Sequence, residues 1–273
     1  MGERPGRELD RTGHARLARQ WADQFAADRR WDAGDGEPVG AGEIPHLFSI
    51  RVALGGKNPR ADIFRRRKIV LSLRRPTASS ANDGKGTYDD RIVILWMSED
   101  LGWSVREMAA NTEPTAQYDQ LAGAKPSGFP GVKFRHTEGE DVNDDGTRDL
   151  GRLQPGTYAF KKGSSTHHPQ HFGIQVPPSV AAGGVMRDIK HKGFFDGGKA
   201  GLDKVNSSFL IHPGGIGNND SAGCQTLPKA APSNTVGFRS EPQPWPYFWR
   251  TMSPQVSLFY ILVDVSQPFG GGI

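Results

Sequence analysis

The sequence predicts a mainly β protein: a helix near the N-terminus followed by a β-sandwich or barrel with loop insertions. Gly and Pro account for 35 and 20 of 273 residues, and their spread along the chain indicates many turns. Short runs rich in β-branched residues recur, which is typical of strands. Residues 8–31 carry apolar side chains at helical spacing. A composition shift follows that helix, so we expect a helical segment and linker over 1–45 and one domain over 46–273.

Strand-like segments follow one another from residue 46. Each is a short apolar or alternating run bounded by turn residues. They cover residues 46–54, 69–74, 91–97, 103–108, 153–160 (a turn and then a strand), 172–176, 209–211 and 256–264. The third and fourth of these are spaced as a hairpin, and a short helix is expected near Trp245. Residues 177–206 form a long Gly- and Lys-rich connection, which suits a loop that covers a substrate.

Charge and composition exclude several classes of protein. No stretch is apolar for the length of a membrane span, so no integral membrane segment is expected. The net charge of +4 favours anionic surfaces. The basic run at 65–68 has no interleaved aromatic residues, so we expect no nucleic-acid binding. A single cysteine means that no intramolecular disulfide forms.

The strongest candidate site is the segment from Phe209 to Cys224. An apolar run ends at Ile211, His212 follows at once, and a loop rich in Gly and Asn leads to Ser221-Ala-Gly-Cys224. A thiolate is a nucleophile that an imidazole can activate, and backbone N–H groups beside a glycine can bind an oxyanion. The alternative is that Cys224 is only a small buried apolar residue. Its neighbours Ser, Gly, Gln and Asp make a poor apolar pocket, which favours the catalytic interpretation.

This segment resembles the signature of the L,D-transpeptidase catalytic domain (the YkuD-like fold), whose members act on peptidoglycan stem peptides. The match falls on His212, Ser221, Gly223 and Cys224. A looser resemblance, from about residue 88 to 228, is similar to a divergent phage-type, wall-lytic branch. The resemblance implies an L,D-transpeptidase-like β-sandwich or barrel.

The resemblance also implies a reaction. Cys224 attacks the carbonyl of a stem-peptide bond that follows an L-centre, and His212 maintains the thiolate and protonates the leaving amine. Backbone N–H groups at Gly223 and Cys224, with Ser221, stabilise the oxyanion. Water or an amine then resolves the thioester, and no cofactor is required. The residues expected to bind substrate are Gly214, Gly215, Gln225, Thr226, His171 and Arg187.

The N-terminal residues are charged and contain no apolar segment of a secretory signal. We therefore expect a protein made in the cytoplasm that acts in the periplasm or cell wall after delivery or lysis, as a wall-damaging lysin or effector. A delivery apparatus or an immunity protein would then be a partner. Four alternatives stay open: a non-catalytic wall-binding or phage-particle structural protein, a cross-link-forming L,D-transpeptidase, a sortase-like enzyme, and a calcium-regulated binding module.

Two further segments are candidates for metal binding. Asp141, Asn143, Asp145 and Asp149 alternate as in a calcium loop, although Arg152 stands where that pattern needs a Glu. An Asx-rich surface turn is the alternative. The segment 164–171 holds three histidines, which could bind zinc, line the rim of a substrate cleft or simply occupy a loop.

Overall fold

The computed structural model of the protein describes part of the chain. The described residues are 68–75, 77–97, 103–121, 139–175, 184–193, 195, 202–203, 207–230 and 242–264. The predicted N-terminal helix, the linker and the predicted strand at 46–54 lie outside these residues.

Eleven strands and one α-helix form the described part of the protein. In chain order they are β1 (Ile69–Arg74), β2 (Asp90–Met97), β3 (Trp103–Ala110), β4 (Gly151–Leu153), β5 (Gly156–Gly163), β6 (His171–Ile174), β7 (Val185–Arg187), β8 (Leu202–Asp203), β9 (Leu210–Gly214), β10 (Gln225–Pro228), α1 (Pro244–Met252) and β11 (Ser257–Asp264). The predicted mainly β class is confirmed, and so are the strands expected at 69–74, 91–97, 103–108 and 256–264. No helix in the described ranges is both long and apolar enough to cross a bilayer.

Eight strands form one sheet that curls into a nearly closed barrel. Their order is β10-β9-β6-β5-β11-β1-β2-β3. The predicted hairpin is present as the antiparallel pair of β2 and β3. At the far end of β3, Asn111 exchanges two backbone hydrogen bonds with Thr226 of β10, at 2.9 and 2.8 Å. Because β3 and β10 are the two edges of the sheet, this bridge brings the edges together and protects them from other chains.

The barrel interior is filled by every second residue of its strands, as the strand period requires. Along β11 the inward residues Leu258, Tyr260 and Leu262 are buried in the main core. The Tyr260 ring packs edge-on against Phe160 of β5, with ring centroids 5.2 Å apart. Helix α1 begins with Pro244, which suits the first turn of a helix, and adds three further aromatic and apolar side chains to the same core: Trp245, Phe248 and Met252.

A second, three-stranded sheet lies beside the candidate site, with strand order β4-β7-β8. The connection at 177–206 was expected to be irregular, but its described residues include the strands β7 and β8. The strand β7 forms because its backbone groups pair with β4, a partner more than 30 residues earlier in the chain, and β8 then pairs with the other edge of β7. No local pattern reveals the pairing with β4. A small apolar cluster of Tyr118, Leu150 and Phe195 packs here against Ala222 of the candidate site.

Arg74, at the end of β1, is fully buried and joins the barrel to the small sheet. Its guanidinium donates to the hydroxyl and the carbonyl oxygen of Thr112, at 2.9 and 3.2 Å, and to the carbonyl oxygen of Leu153, at 2.7 Å. Buried guanidinium groups persist where their donors are satisfied. Arg74 therefore fixes the segment after β3 to β4, and both segments border the candidate site.

Candidate active site

The pairing of β9 with β10 sets the relation between His212 and Cys224. The two strands are parallel, with Ile211 opposite Gln225 and His212 opposite Thr226. Ile211 belongs to the barrel core, so His212 and Thr226 belong to the outer face. Side chains alternate along an extended chain, and Cys224 stands two residues before Thr226. Cys224 directly precedes β10, and the same alternation carried back by one residue assigns it to the outer face that holds His212. Paired strands such as β9 and β10 lie about 4.8 Å apart.

His212 lies inside a strand rather than at its end. The sequence predicted that the strand stops at Ile211, but β9 continues to Gly214. The expectation was wrong because Pro213 and Gly214 are weak strand formers taken alone, and it is pairing with β10 that holds them extended. As a result the His212 side chain is only 2% exposed.

The protonation state of His212 follows from its surroundings. Its Nδ1 lies 2.9 Å from the carbonyl oxygen of Pro213. A carbonyl oxygen only accepts, so Nδ1 carries the proton and Nε2 holds the lone pair. Burial lowers the pKa of His212 to about 4, with His168 acting in the same direction, while the bond to Pro213 and the charge of Asp220 oppose the shift. At neutral pH the ring is therefore an uncharged base.

Cys224 is half-buried at the mouth of a turn built by Ser221. The thiol Sγ lies 3.7 Å from the carbonyl oxygen of Ser208. The buried Ser221 hydroxyl donates to the carbonyl oxygen of Cys224 at 2.8 Å and accepts the Gly223 N–H at 3.1 Å. The Ser221 hydroxyl and the Gly223 N–H were both expected to stabilise an oxyanion. In this structure the Gly223 N–H donates to the Ser221 hydroxyl. It would have to give up that hydrogen bond before it could donate to a substrate oxygen.

The glycines of the site permit close backbone packing. Gly223 has φ +127°, and a Cβ there would overlap the carbonyl oxygen of Gly151. A Cβ on Gly214 would overlap the hydroxyl oxygen of Tyr88, which donates to the carbonyl oxygen of Gly215 at 2.6 Å. Gly214 and Gly215 were predicted to bind substrate. The structure places both against the protein's own loop.

Gln225 and Thr226, also predicted to bind substrate, are completely buried. The Gln225 amide donates to the carbonyl oxygen of Gly223 at 3.1 Å, and its Oε1 accepts the hydroxyl of Tyr260 in the barrel core. The backbone of Thr226 pairs with Asn111. These contacts make the two residues internal supports of the Cys224 turn.

The histidine that contacts His212 is not the one assigned from the sequence. His171 was expected in the substrate cleft, but it is largely buried and its Nδ1 bonds the carbonyl oxygen of His168 at 2.7 Å. His168 instead stacks on His212, with ring centroids 4.0 Å apart. The segment 164–171 thus contributes one histidine to the site, as a cleft rim would. Spacing alone could not decide which one, because the turn that aims the rings depends on Ser165.

Arg187, the last residue predicted to bind substrate, is buried at the end of β7 in the small sheet. Its guanidinium lies 3.1 Å from the Glu140 carboxylate and 3.4 Å from the carbonyl oxygen of Asp149. Arg187 thus connects β7 to the segment 141–149 that follows Glu140, called the acidic loop below.

The acidic loop is closed by its own backbone. The carboxylate of Asp141 accepts the N–H groups of Asp145 and Gly146, at 3.1 and 2.8 Å. Asn143 donates to the Asp145 carboxylate at 2.9 Å, and Asp149 accepts the N–H of Val142. This is the Asx-rich turn kept as the alternative. Among the residues that the structure describes, no group of three His, Cys, Asp or Glu side chains is arranged to hold a metal ion. Calcium binding stays a prediction.

A buried cluster near the site gave no sequence signal. His191, whose φ is +49°, lies between two buried carboxylates: its Nδ1 is 2.9 Å from Asp119 and its Nε2 is 3.5 Å from Asp149. The neighbouring Tyr118 donates its hydroxyl to Asp220, four residues before Cys224. The cluster thereby joins the acidic loop to the Cys224 loop. Its members come from four segments that lie more than 20 residues apart in the chain, so only the fold reveals it.

Comparison of the chain with protein-family models, with curated proteins and with solved structures finds no match. The resemblance to L,D-transpeptidases therefore depends on the sequence motifs themselves: the His212–Cys224 segment and the looser match from about residue 88 to 228.

Proposed function

We propose that the protein is a peptidoglycan-active cysteine enzyme that cleaves or exchanges stem-peptide bonds after an L-centre. Cys224 is the nucleophile and His212 is the base. The reaction damages the bacterial wall, in the manner of a lysin or a delivered effector.

The observation that carries this proposal is the register of β9 and β10. It places His212 directly opposite Thr226, two residues from the single cysteine, on the outer face of the barrel. The thiol is partly exposed while the imidazole is buried and neutral. An exposed nucleophile beside a sheltered base is the arrangement that nucleophilic catalysis needs. A cysteine with only a packing role would be expected in apolar surroundings instead.

The chemistry follows from the states of these two side chains. The His212 Nε2 lone pair takes the thiol proton as Sγ attacks the substrate carbonyl, and the resulting imidazolium gives that proton to the leaving amine. Asp220, whose charge favours the cationic ring, opposes the burial that disfavours it. A thioester on Cys224 then reacts with water in hydrolysis or with an amine in exchange.

The substrate class is supported by the resemblance and by the charge of the protein. The Ser-Ala-Gly-Cys motif with an upstream His is similar to that of wall-active L,D-transpeptidases. The net charge of +4 also favours an anionic polymer.

The test is intact-mass analysis of purified peptidoglycan tetrapeptide and pentapeptide fragments after incubation with wild-type protein or with the Cys224→Ala variant. We expect new products only with the wild type, and their masses distinguish hydrolysis from transfer. Ser208→Ala is the matched control, because Ser208 contacts the thiol through its carbonyl oxygen, which that substitution retains. Equal product formation by wild type and Cys224→Ala would contradict the proposal. Wall binding by both proteins without products would favour a binding protein.

A further inference from the structure

The turn that carries His168 is held in one conformation. It joins β5 to β6, and three hydrogen bonds link Ser165 to His168. The Ser165 N–H and hydroxyl donate to the His168 carbonyl oxygen at 3.1 and 3.3 Å, and the Ser165 Oγ accepts the His168 N–H at 3.0 Å. His171 donates its Nδ1 hydrogen to the same carbonyl oxygen at 2.7 Å. These hydrogen bonds hold the backbone of His168, and with it the point from which the His168 side chain extends.

The His168 side chain covers His212. The two ring centroids are 4.0 Å apart and the ring planes are inclined by 35°. This separation is at or below the range usual for paired aromatic rings, so the contact is close. The Nδ1 of His212 is already held by Pro213. A fixed Nδ1 and a covered ring face together leave Nε2 as the part of His212 that can act on a substrate.

We propose that His168 is a positioning residue that holds the imidazole of His212 in its catalytic orientation and tautomer. The role belongs to His168 and not to its neighbour, since His167 is exposed in the same turn. This inference rests on the proposed function, in which His212 is the base.

His168 also influences the charge of His212. Three ionisable groups from three segments act on the ring: His168 of the turn and His171 of β6 disfavour its cation, and Asp220 of the Cys224 loop favours it. An aromatic residue without charge at position 168 would keep the ring contact and remove one of the two groups that disfavour the cation. Substitution at position 168 can therefore separate the effect of the ring contact on His212 from the effect of the His168 charge.

The direct test is long-range proton–nitrogen NMR of the histidine rings across an acid-to-neutral titration, on the full chain. His168→Phe, His168→Ala and the control His167→Ala are compared with wild type, and the His212 signals are assigned by their loss in His212→Gln. We expect wild type and His167→Ala to show one tautomer, protonated on Nδ1. His168→Phe should keep that tautomer but titrate at higher pH, while His168→Ala should show a mixture of tautomers. Unchanged His212 signals in both His168 variants would overturn the inference.

The kinetic test uses the wall fragments. We expect His168→Ala to lower kcat/KM by about 10–100-fold through kcat, with KM nearly constant, because a misplaced base reacts slowly even when substrate binds. His168→Phe should restore most of kcat and move the acid limb of the pH profile upward. A residue needed only for folding would not give this rescue, and equal kcat for wild type and His168→Ala would overturn the inference. If Cys224→Ala retained activity, the proposed function would fail, while the NMR result would still decide the role of His168.

Discussion

The backbone of Gly223 lies against the carbonyl oxygen of Gly151, so closely that a Cβ on Gly223 would overlap that oxygen. Gly223 also has φ +127°, which side-chain-bearing residues rarely adopt. Gly151 begins β4 of the small sheet, and Gly223 precedes the candidate nucleophile. The small sheet therefore sets the position of Cys224 through a backbone contact that only glycine permits.

Replacing Gly223 by Ala should lower the free energy of unfolding by at least about 3 kcal/mol, because a strained φ and a backbone clash add together. Urea denaturation measures this cost. Gly146→Ala is the matched control, since Gly146 has φ +83° but a Cβ there would meet nothing within 4 Å. Its cost should be only about 1 kcal/mol, from backbone strain alone. Equal costs for the two variants would mean that the contact with Gly151 contributes nothing.

The activity should persist to unusually low pH. In the proposed reaction His212 is the base, so it must be neutral, and burial lowers its pKa to about 4. Activity is therefore retained above that value and declines only as the pH falls toward it, instead of near the ordinary histidine pKa of about 6.5. The pH profile of kcat/KM on wall fragments measures this acid limb. An acid limb near pH 6.5 would show that His212 is as readily protonated as a histidine in water.

The hydrogen bond between Tyr260 and Gln225 should couple the barrel core to the Cys224 turn. Both residues are buried, so losing one partner leaves the other unsatisfied, at a cost of about 1–3 kcal/mol each for Tyr260→Phe and Gln225→Met. The double variant should cost less than the sum, because the shared bond is lost only once. Urea denaturation of the four proteins gives the coupling energy. Strictly additive costs would argue against the bond.

Tyr247→Phe provides the control for that cycle. Tyr247 is half-buried in α1, where its ring faces the guanidinium of Arg250 at 5.5 Å. Removing its hydroxyl should change the free energy of unfolding by less than about 0.5 kcal/mol.

Replacing His191 by Gln should destabilise the protein by about 3 kcal/mol at neutral pH, because the buried carboxylates of Asp119 and Asp149 lose the group between them. Burial raises the pKa of Asp149, and His191 lowers it. Without His191 that pKa rises further, so the folded variant takes up protons more readily than the unfolded chain. The difference in free energy of unfolding between wild type and His191→Gln should therefore become smaller as the pH falls.

Urea denaturation of wild type and His191→Gln at neutral and mildly acidic pH checks this dependence. Lys190→Ala is the control, since Lys190 is the exposed residue beside His191 and its loss should cost little at either pH. If this difference in free energy of unfolding stayed constant with pH, His191 would have no effect on the pKa values of the carboxylates.

Local patterns were sufficient for the class of fold and for most strands. The runs at 69–74 and 257–264 are β-branched and aromatic, and each forms a strand in the barrel. The strand β10 was not predicted, because Gln225-Thr-Leu-Pro228 is short and ends in proline. It forms because β9 on one side and Asn111 on the other supply its hydrogen bonds. Both partners lie outside any local window of sequence.

The predicted substrate-binding residues also show that local sequence does not reveal contacts between distant segments. Gln225 and Thr226 directly follow the motif, and Arg187 belongs to the looser match from about residue 88 to 228, which is why all three were expected to bind substrate. In the structure each is buried and bonded within the protein, because a nearly closed barrel and a second sheet enclose them. Sequence proximity to a motif does not indicate which face of a strand a residue occupies when the strand itself was not foreseen.

The sequence by itself determined that the protein is mainly β and that His212 and Cys224 are separated by one Gly-rich loop, since composition and residue order are properties of the chain. Only the tertiary structure decided that β9 and β10 align these two residues, that His168 covers His212, and that Gly151 packs on Gly223. The physical reason is that strand register and ring contacts are set by hydrogen bonds and packing between segments far apart in the chain, and these form only when the barrel closes.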